Sequence, residues 1–241
     1  MSEASALLRP GLLAGVAVLV AGVAEPAGVS DEARSADSAD TNDPLDLGVA
    51  VSAACAQLGA RVSACAADAF VGEAPVEETV GTALAAVGPL DLLVVDGAGL
   101  FARGLARCTE SDGDDGERAG DADVEDAQVA LSACLDAAWN VTRAVVNLAF
   151  LAGEPGPTAG GRVVYLAPPP DAGAHAEAAR AGLENLARTL SIEWARHGVT
   201  LVAIAPGSET AAGEVAALCA FLASPAGAYF SGCLLDLRSA R

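Results

Sequence analysis

The chain has no lysine: all thirteen of its basic residues are arginine, set against 32 acidic ones. A net charge of −19 repels phosphate backbones and anionic headgroups, which excludes nucleic acid as a partner and argues against a membrane surface. Aromatic residues make up only 4% and there is one methionine, so any core must be built from Ala, Val and Leu. The six cysteines (Cys55, Cys65, Cys108, Cys134, Cys219, Cys233) form no C-x-x-C pair, and only two histidines accompany them. No metal site is expected. The thiols read as reduced, small apolar residues of a cytoplasmic protein. The apolar run Gly11–Ala24 resembles a signal-peptide core but is too short to span a bilayer. It is read here as a first buried strand entered through a turn at "RPG".

What is plentiful is unevenly placed. Seven carboxylates fall within 25–46 and nine within 110–126, half of the total of 32. A halophilic coat would spread its acid over the helices too. Two solvated acidic loops fit the distribution better, with a docking site for a basic partner as the sharper alternative. A length of 241 residues suits one large domain over 1–241.

Short, nearly continuous apolar runs recur at 16–21, 61–66, 91–95, 162–167, 199–205 and 233–237. Such runs suit parallel strands covered on both faces, unlike the alternation of half-exposed strands. Helical stretches separate them at 45–59, 76–88, 130–153, 176–198 and 213–224. In the fourth, Leu183, Leu186, Leu190 and Trp194 form a stripe at helical spacing. Strands alternating with helices predict an α/β, doubly wound parallel sheet of about six strands.

The segments "AWNVTRAVVNLAF", "GGRVVYLAP", "AARAGLENLARTLSIEWARHGVTLVAIAPG" and "CAFLASPAGAYFSG" resemble the short-chain dehydrogenase/reductase family, near its 3-oxoacyl reductase branch. The resemblance covers about Leu8 to Leu237, with gaps. It implies a Rossmann-like sheet, NAD(P) as cofactor, and oligomers formed through helices 130–153 and 176–198.

The family's functional positions are altered here. Its phosphate loop, G-x-x-x-G-x-G, meets "GVAEPAG": Gly22 and Gly28 match the outer glycines, while Pro26 replaces the middle one and removes an amide donor. No apolar helix follows. The segment "LDLGVAVSAACAQLGARVSACAAD" is aligned with the family's third helix and strand. The alternative aligns it with the second pair and sets Asp46 and Gly48 in glycine slots. Either way one strand–helix unit is missing. The family's N-N-A-G turn meets "DGAG", Asp96 to Gly99. Asp68 matches a position that often contacts adenine, although a strand-end Asp is more commonly a simple cap.

The family's chemistry uses a Tyr acid, a Lys four residues later, a Ser and an Asn. The matching positions are Ala176, Arg180, Pro168 and Asn140. Only the asparagine is kept, and its expected role is to bond backbone within the long helix. His175 and Tyr165 are weak substitutes. After Pro206-Gly207 only "SETAAG" leads to the last helix, so the substrate lid is reduced or lost.

These losses predict a non-catalytic subunit that binds no cofactor itself. It would assemble with an active short-chain dehydrogenase/reductase paralogue that carries NAD(P). The alternatives are an oxidoreductase of altered or weak activity and a homo-oligomeric regulatory binding protein.

Overall fold

The computed structural model describes residues 8–23, 47–70, 75–111, 122–152 and 160–238. Six strands form one sheet: β1 (Ala17–Val23), β2 (Arg61–Ala66), β3 (Leu92–Asp96), β4 (Gly161–Leu166), β5 (Val199–Ala205) and β6 (Cys233–Asp236). All pairings are parallel, in the order β2-β1-β3-β4-β5-β6. The helices are α1 (Leu47–Gln57), α2 (Val76–Val87), α3 (Gly97–Ser111), α4 (Ala122–Val145), α5 (Ala176–Glu193) and α6 (Ala212–Ala223).

The continuous apolar runs have the cause the sequence suggests, since each strand alternates between two cores. On one face Leu19, Leu93, Tyr165 and Leu201 pack with residues of α2, α4 and α5. On the other Val20, Val94, Val164 and Ile204 pack with Val51 of α1 and Cys219 of α6. Each fully buried Leu or Val contributes roughly 1.5–3 kcal/mol, so the two clusters supply the main driving force. Small residues bring the helices close. A Cβ on Gly104 of α3 would lie 2.8 Å from the Ala130 Cα of α4.

The stretch Gln128–Phe150 is long and apolar enough to cross a membrane by length and composition, but its most apolar 18-residue window is 56% buried inside the fold. It reads as a core helix.

Three expectations need correction. First, the strand after α1 pairs directly with β1 and stands in the second-strand place of a 3-2-1-4-5-6 order. The segment 45–68 is therefore the family's first helix and second strand, not its third pair. A single right-handed crossover from β1 lands on the neighbouring position. Among the described residues no strand flanks β2, so the place of an outer strand is the one not filled by them. Second, "DGAG" opens a helix: α3 runs from Gly97 to Ser111. Third, the acidic stretch 110–126 is not loop throughout, because its ends extend α3 and α4. Residues 112–121, like the acidic 25–46, lie outside the described residues.

Candidate functional site

The carboxyl ends of the strands, where this kind of sheet binds ligands, carry the positions singled out above. Gly22, at the end of β1, has φ 88°, and a Cβ there would meet Leu100 Cγ at 2.7 Å. Glycine is needed at this point for both backbone and space. It also sits in the register shift between Ala21 and Val23. Pro26 and Gly28 lie outside the described residues.

The helix that follows β1 starts with Gly48 in its first turn. The Gly48 amide donates to Asp96 Oδ2 at 2.9 Å, and the Gly99 amide donates to Asp96 Oδ1 at 3.0 Å. Asp96 is wholly buried. It is the N-cap of α3, and its second oxygen holds the N-terminus of α1. A Cβ on Gly48 would fall 2.5 Å from Asp96 Oδ2, so only glycine admits the carboxylate. Gly48 stands in a glycine slot only when the segment is aligned with the family's second pair. The spacing Asp46-Leu47-Gly48 before an apolar helix was the signal for it.

At the described N-terminus of α1 this arrangement opposes a pyrophosphate; Pro26 and the rest of 24–46 lie outside the described residues. An anion would be drawn to a helix N-terminus by free amides and the positive end of the dipole. Here a carboxylate already bonds the amide and brings its own negative charge. Asp68 lies in a short 3-10 turn after β2 and forms an ion pair with Arg103 of α3. That contact ties β2 to α3.

The acid–base positions come together, but with other chemistry. Ala176 is the first residue of α5 and is 1% exposed. One helical turn on, the Arg180 side chain is 5% exposed. Its Nη1 donates to the carbonyl oxygens of Pro168 and Pro206, each at 2.7 Å. The guanidinium thus clamps the ends of β4 and β5 together. Its Nε lies 3.6 Å from Glu177 Oε2, and Nη2 is buried without a hydrogen-bond partner among the described residues. Burial lowers the Arg180 pKa, with Glu177 acting against that. An arginine so held keeps its proton and neither reaches nor relays one.

Asn140 is half-buried on α4. It makes no side-chain hydrogen bond among the described residues, so the backbone-bonding role expected of it is not found. The link from α4 to the sheet is made two residues later. Thr142 Oγ1 donates to Ala138 O at 2.7 Å and pairs with the Tyr165 hydroxyl at 3.0 Å. Tyr165 is wholly buried, and burial pushes its pKa up. It is packed in the core, which suits the weak part given to it as a substitute acid. His175 is exposed and enters α5 at φ 67°, an unfavourable conformation for a non-glycine residue.

The short link after the Pro-Gly turn is closed by the chain's own C-terminal segment. The Gly207 amide donates to Thr210 Oγ1 at 2.8 Å, and the Leu237 amide to Ala205 O at 2.9 Å. Arg238 lies over Gly207, its Cα 3.2 Å from where a Cβ would stand. Arg238 Nη2 pairs with Asp236 Oδ2 at 2.6 Å, and Nη1 lies 3.9 Å from Glu177 Oε1. The run Arg180–Glu177–Arg238–Asp236 therefore sits where a substrate lid would begin.

The stripe on α5 faces inward. Leu183 is fully buried, and its Cδ1 lies 2.6 Å from where a Gly97 Cβ would stand. The outward large apolar residues described on the two long helices are others: Val129 at 37% exposure, Trp139 at 38%, stacked on Trp194 with ring centroids 6.3 Å apart, and Ile192 at 77%.

The parallel order and the helices on both faces define a Rossmann-like α/β protein. Residues 41–214 match the family model of the short chain dehydrogenases, and the chain belongs to that family of oxidoreductases. Similar solved structures include the citronellol catabolism dehydrogenase of Pseudomonas aeruginosa (23% identity, 97% of this chain and 98% of that chain, TM-score 0.65). A short chain dehydrogenase from Mycobacterium smegmatis is 23% identical over 97% of this chain and 96% of that one, with TM-score 0.65. A hydroxysteroid dehydrogenase from Escherichia coli is 14% identical over 96% and 99%, also with TM-score 0.65. At these identities the likeness is one of fold. No curated protein matches the chain.

Proposed function

We propose that this chain is a non-catalytic subunit that binds and stabilises an active short-chain dehydrogenase/reductase paralogue in the cytoplasm, and that NAD(P) binds only in that partner. The observation that carries the proposal is Arg180. The residue at the family's lysine position is buried and committed to the carbonyls of Pro168 and Pro206. The residue at the family's tyrosine position, Ala176, is a buried methyl with no proton to give. Asp96 at the α1 N-terminus opposes a pyrophosphate for the reasons given above.

The partner is argued from the two long helices. Trp139 on α4 and Ile192 on α5 present apolar surface, and Leu148, just beyond α4, is 45% exposed. An apolar surface on a paired helix face is stabilised by a matching face on a second chain.

The test is native mass spectrometry of the tagged protein isolated from its source cells, with a titration of NADH and NADPH against the purified chain. A complex with an intact paralogue, holding nucleotide in that subunit's copy number alone, is the expected result. A homo-oligomer carrying one nucleotide per chain would overturn it in favour of an oxidoreductase of altered activity. A nucleotide-free homo-oligomer would overturn it in favour of a regulatory binding protein.

A further inference from the structure

We infer that the cleft where the ends of β4 and β5 meet the first turn of α5 is a binding site for a small aliphatic monocarboxylate, received by Arg180 Nη2.

Arg180 is a charge buried at the carboxyl edge of the sheet, its side chain 5% exposed. Its Nη1 is taken up by the carbonyls of Pro168 and Pro206. Nη2 belongs to the same planar fork, yet it is buried with no hydrogen-bond partner among the described residues. A buried donor left unmet is costly, and more so when it carries charge. An acceptor brought by a ligand removes that cost.

The first turn of α5 offers a second unmet donor. His175 enters the helix in the left-handed region and supplies no side-chain cap. The Ala176 amide bonds Gly173 O, and the Ala178 and Ala179 amides share His175 O. The Glu177 amide has no partner among the described residues. Long side chains on a helix lean toward its N-terminus. Arg180 does so, with its Nε 3.6 Å from Glu177 Oε2, which brings the guanidinium to this turn.

The ligand's chemistry follows from what surrounds these donors. Both are N–H groups, so the incoming atom is an oxygen acceptor. Arg180 and Arg238 are balanced by Glu177 and Asp236, and the helix end adds roughly half a positive charge. One negative charge suits that sum. A dianion such as inorganic phosphate would be repelled by the two carboxylates. Pro168 and Pro206 are buried and have no amide to offer. Ala176 lies on the same face as Arg180 and presents only a methyl. The rest of the ligand therefore meets rings and a methyl, which suits a short alkyl chain. Entry is through the C-terminal clasp. Arg238 lies over Gly207, the residue after Pro206, and reaches Glu177, so Nη2 becomes accessible as the clasp parts. The test below reads neither paralogue nor nucleotide, so this inference stands or falls apart from the proposed function.

The purified full chain is titrated with sodium butyrate and followed by proton–nitrogen correlation NMR, with butyramide as the neutral match in shape. Butyrate should shift the Glu177 amide saturably. Butyramide should bind about tenfold more weakly, the weight of one charge-assisted hydrogen bond. Inorganic phosphate should not displace butyrate. Asp236 is exposed, so Asp236→Asn loosens the clasp without disturbing the core and should raise the affinity for butyrate. Arg180→Lys keeps the charge but lacks the fork, and should abolish the shift while circular dichroism shows a folded chain. Where that variant does not fold, the titrations of the parent chain decide alone. A Glu177 amide unmoved by butyrate would overturn the inference. So would butyramide or phosphate binding as tightly as butyrate. Equal or weaker butyrate affinity in Asp236→Asn would overturn the clasp as the way in.

Discussion

Asp96 Oδ2 accepts the Gly48 amide at 2.9 Å, so the end of β3 and the start of α1 are joined by one buried carboxylate. Truncating it to Asp96→Ala leaves two helix-end amides unpaired and should destabilise the chain by about 2–4 kcal/mol, from a lost cap plus a buried unmet donor. Asp96→Asn keeps an acceptor for one amide and should cost less. Gly48→Ala gives a contrary case. By helix propensity it would gain up to about 1 kcal/mol, yet its Cβ would stand 2.5 Å from Asp96 Oδ2, so it should destabilise. Urea unfolding of the three variants measures all of these, and a stabilised Gly48→Ala would refute the placement of Asp96.

Restoring the family's residues at two positions should not restore chemistry. Ala176→Tyr places a large side chain where 1% of the residue is exposed, and overpacking costs typically about 1–3 kcal/mol. Arg180→Lys removes the planar donor group that reaches both Pro168 and Pro206. The double variant should be less stable and should oxidise no NADPH with a 3-oxoacyl substrate, since Asp96 still holds the α1 N-terminus. Any NADPH-dependent turnover above the parent chain would contradict the account of the phosphate site.

The strands were legible because burial on both faces writes itself as unbroken apolar runs, and β2 and β5 have the bounds read from Arg61–Ala66 and Val199–Ala205. The α3 helix was not legible from periodicity. Its signal was local: Asp96 as N-cap, then Leu100 and Phe101 turned into the core. The count of residues from Val20 to Asp68 is near the family's usual spacing and so points to the third helix and strand, but a count does not fix which strand is missing. Only the pairing of β2 with β1 decides it. At the site, the alignment that sets Ala176, Arg180 and Pro168 at the family's Tyr, Lys and Ser positions was legible from residue types. What replaces them was not, because the Arg180 clamp depends on two carbonyls whose approach no pattern encodes.

Leu183 and Ile192 lie on the same helix but should answer differently to the same substitution. Leu183 is fully buried in the chain's own core, whereas Ile192 is 77% exposed. Leu183→Asp buries an unpaired carboxylate and should unfold the chain, at a cost above about 4 kcal/mol. Ile192→Asp should leave the thermal midpoint of the isolated chain within about 0.5 kcal/mol of the parent in stability while weakening the paralogue complex. Differential scanning calorimetry beside native mass measurement separates the two. An intact complex with Ile192→Asp would remove α5 from the interface.

The C-terminal clasp should loosen in acid. Asp236 has its pKa lowered, first by the hydrogen bond from the Arg238 side chain and then by the Arg238 amide. A carboxylate whose folded pKa is depressed contributes stability above its unfolded value and loses it as pH falls through the folded one. The Arg238 amide donates to Asp236 Oδ1 at 3.0 Å, so its protection from hydrogen exchange reports the clasp directly. Protection should be constant at neutral pH and fall below about pH 4, the ordinary range of an aspartate. Asp236→Asn cannot titrate and should show a flat, lower protection across that range. The screened, partly exposed setting keeps the effect on global stability small, so the local amide and not the unfolding midpoint is the observable that decides. An Arg238 amide equally protected at pH 3 and pH 7 would show that the carboxylate does not hold the tail.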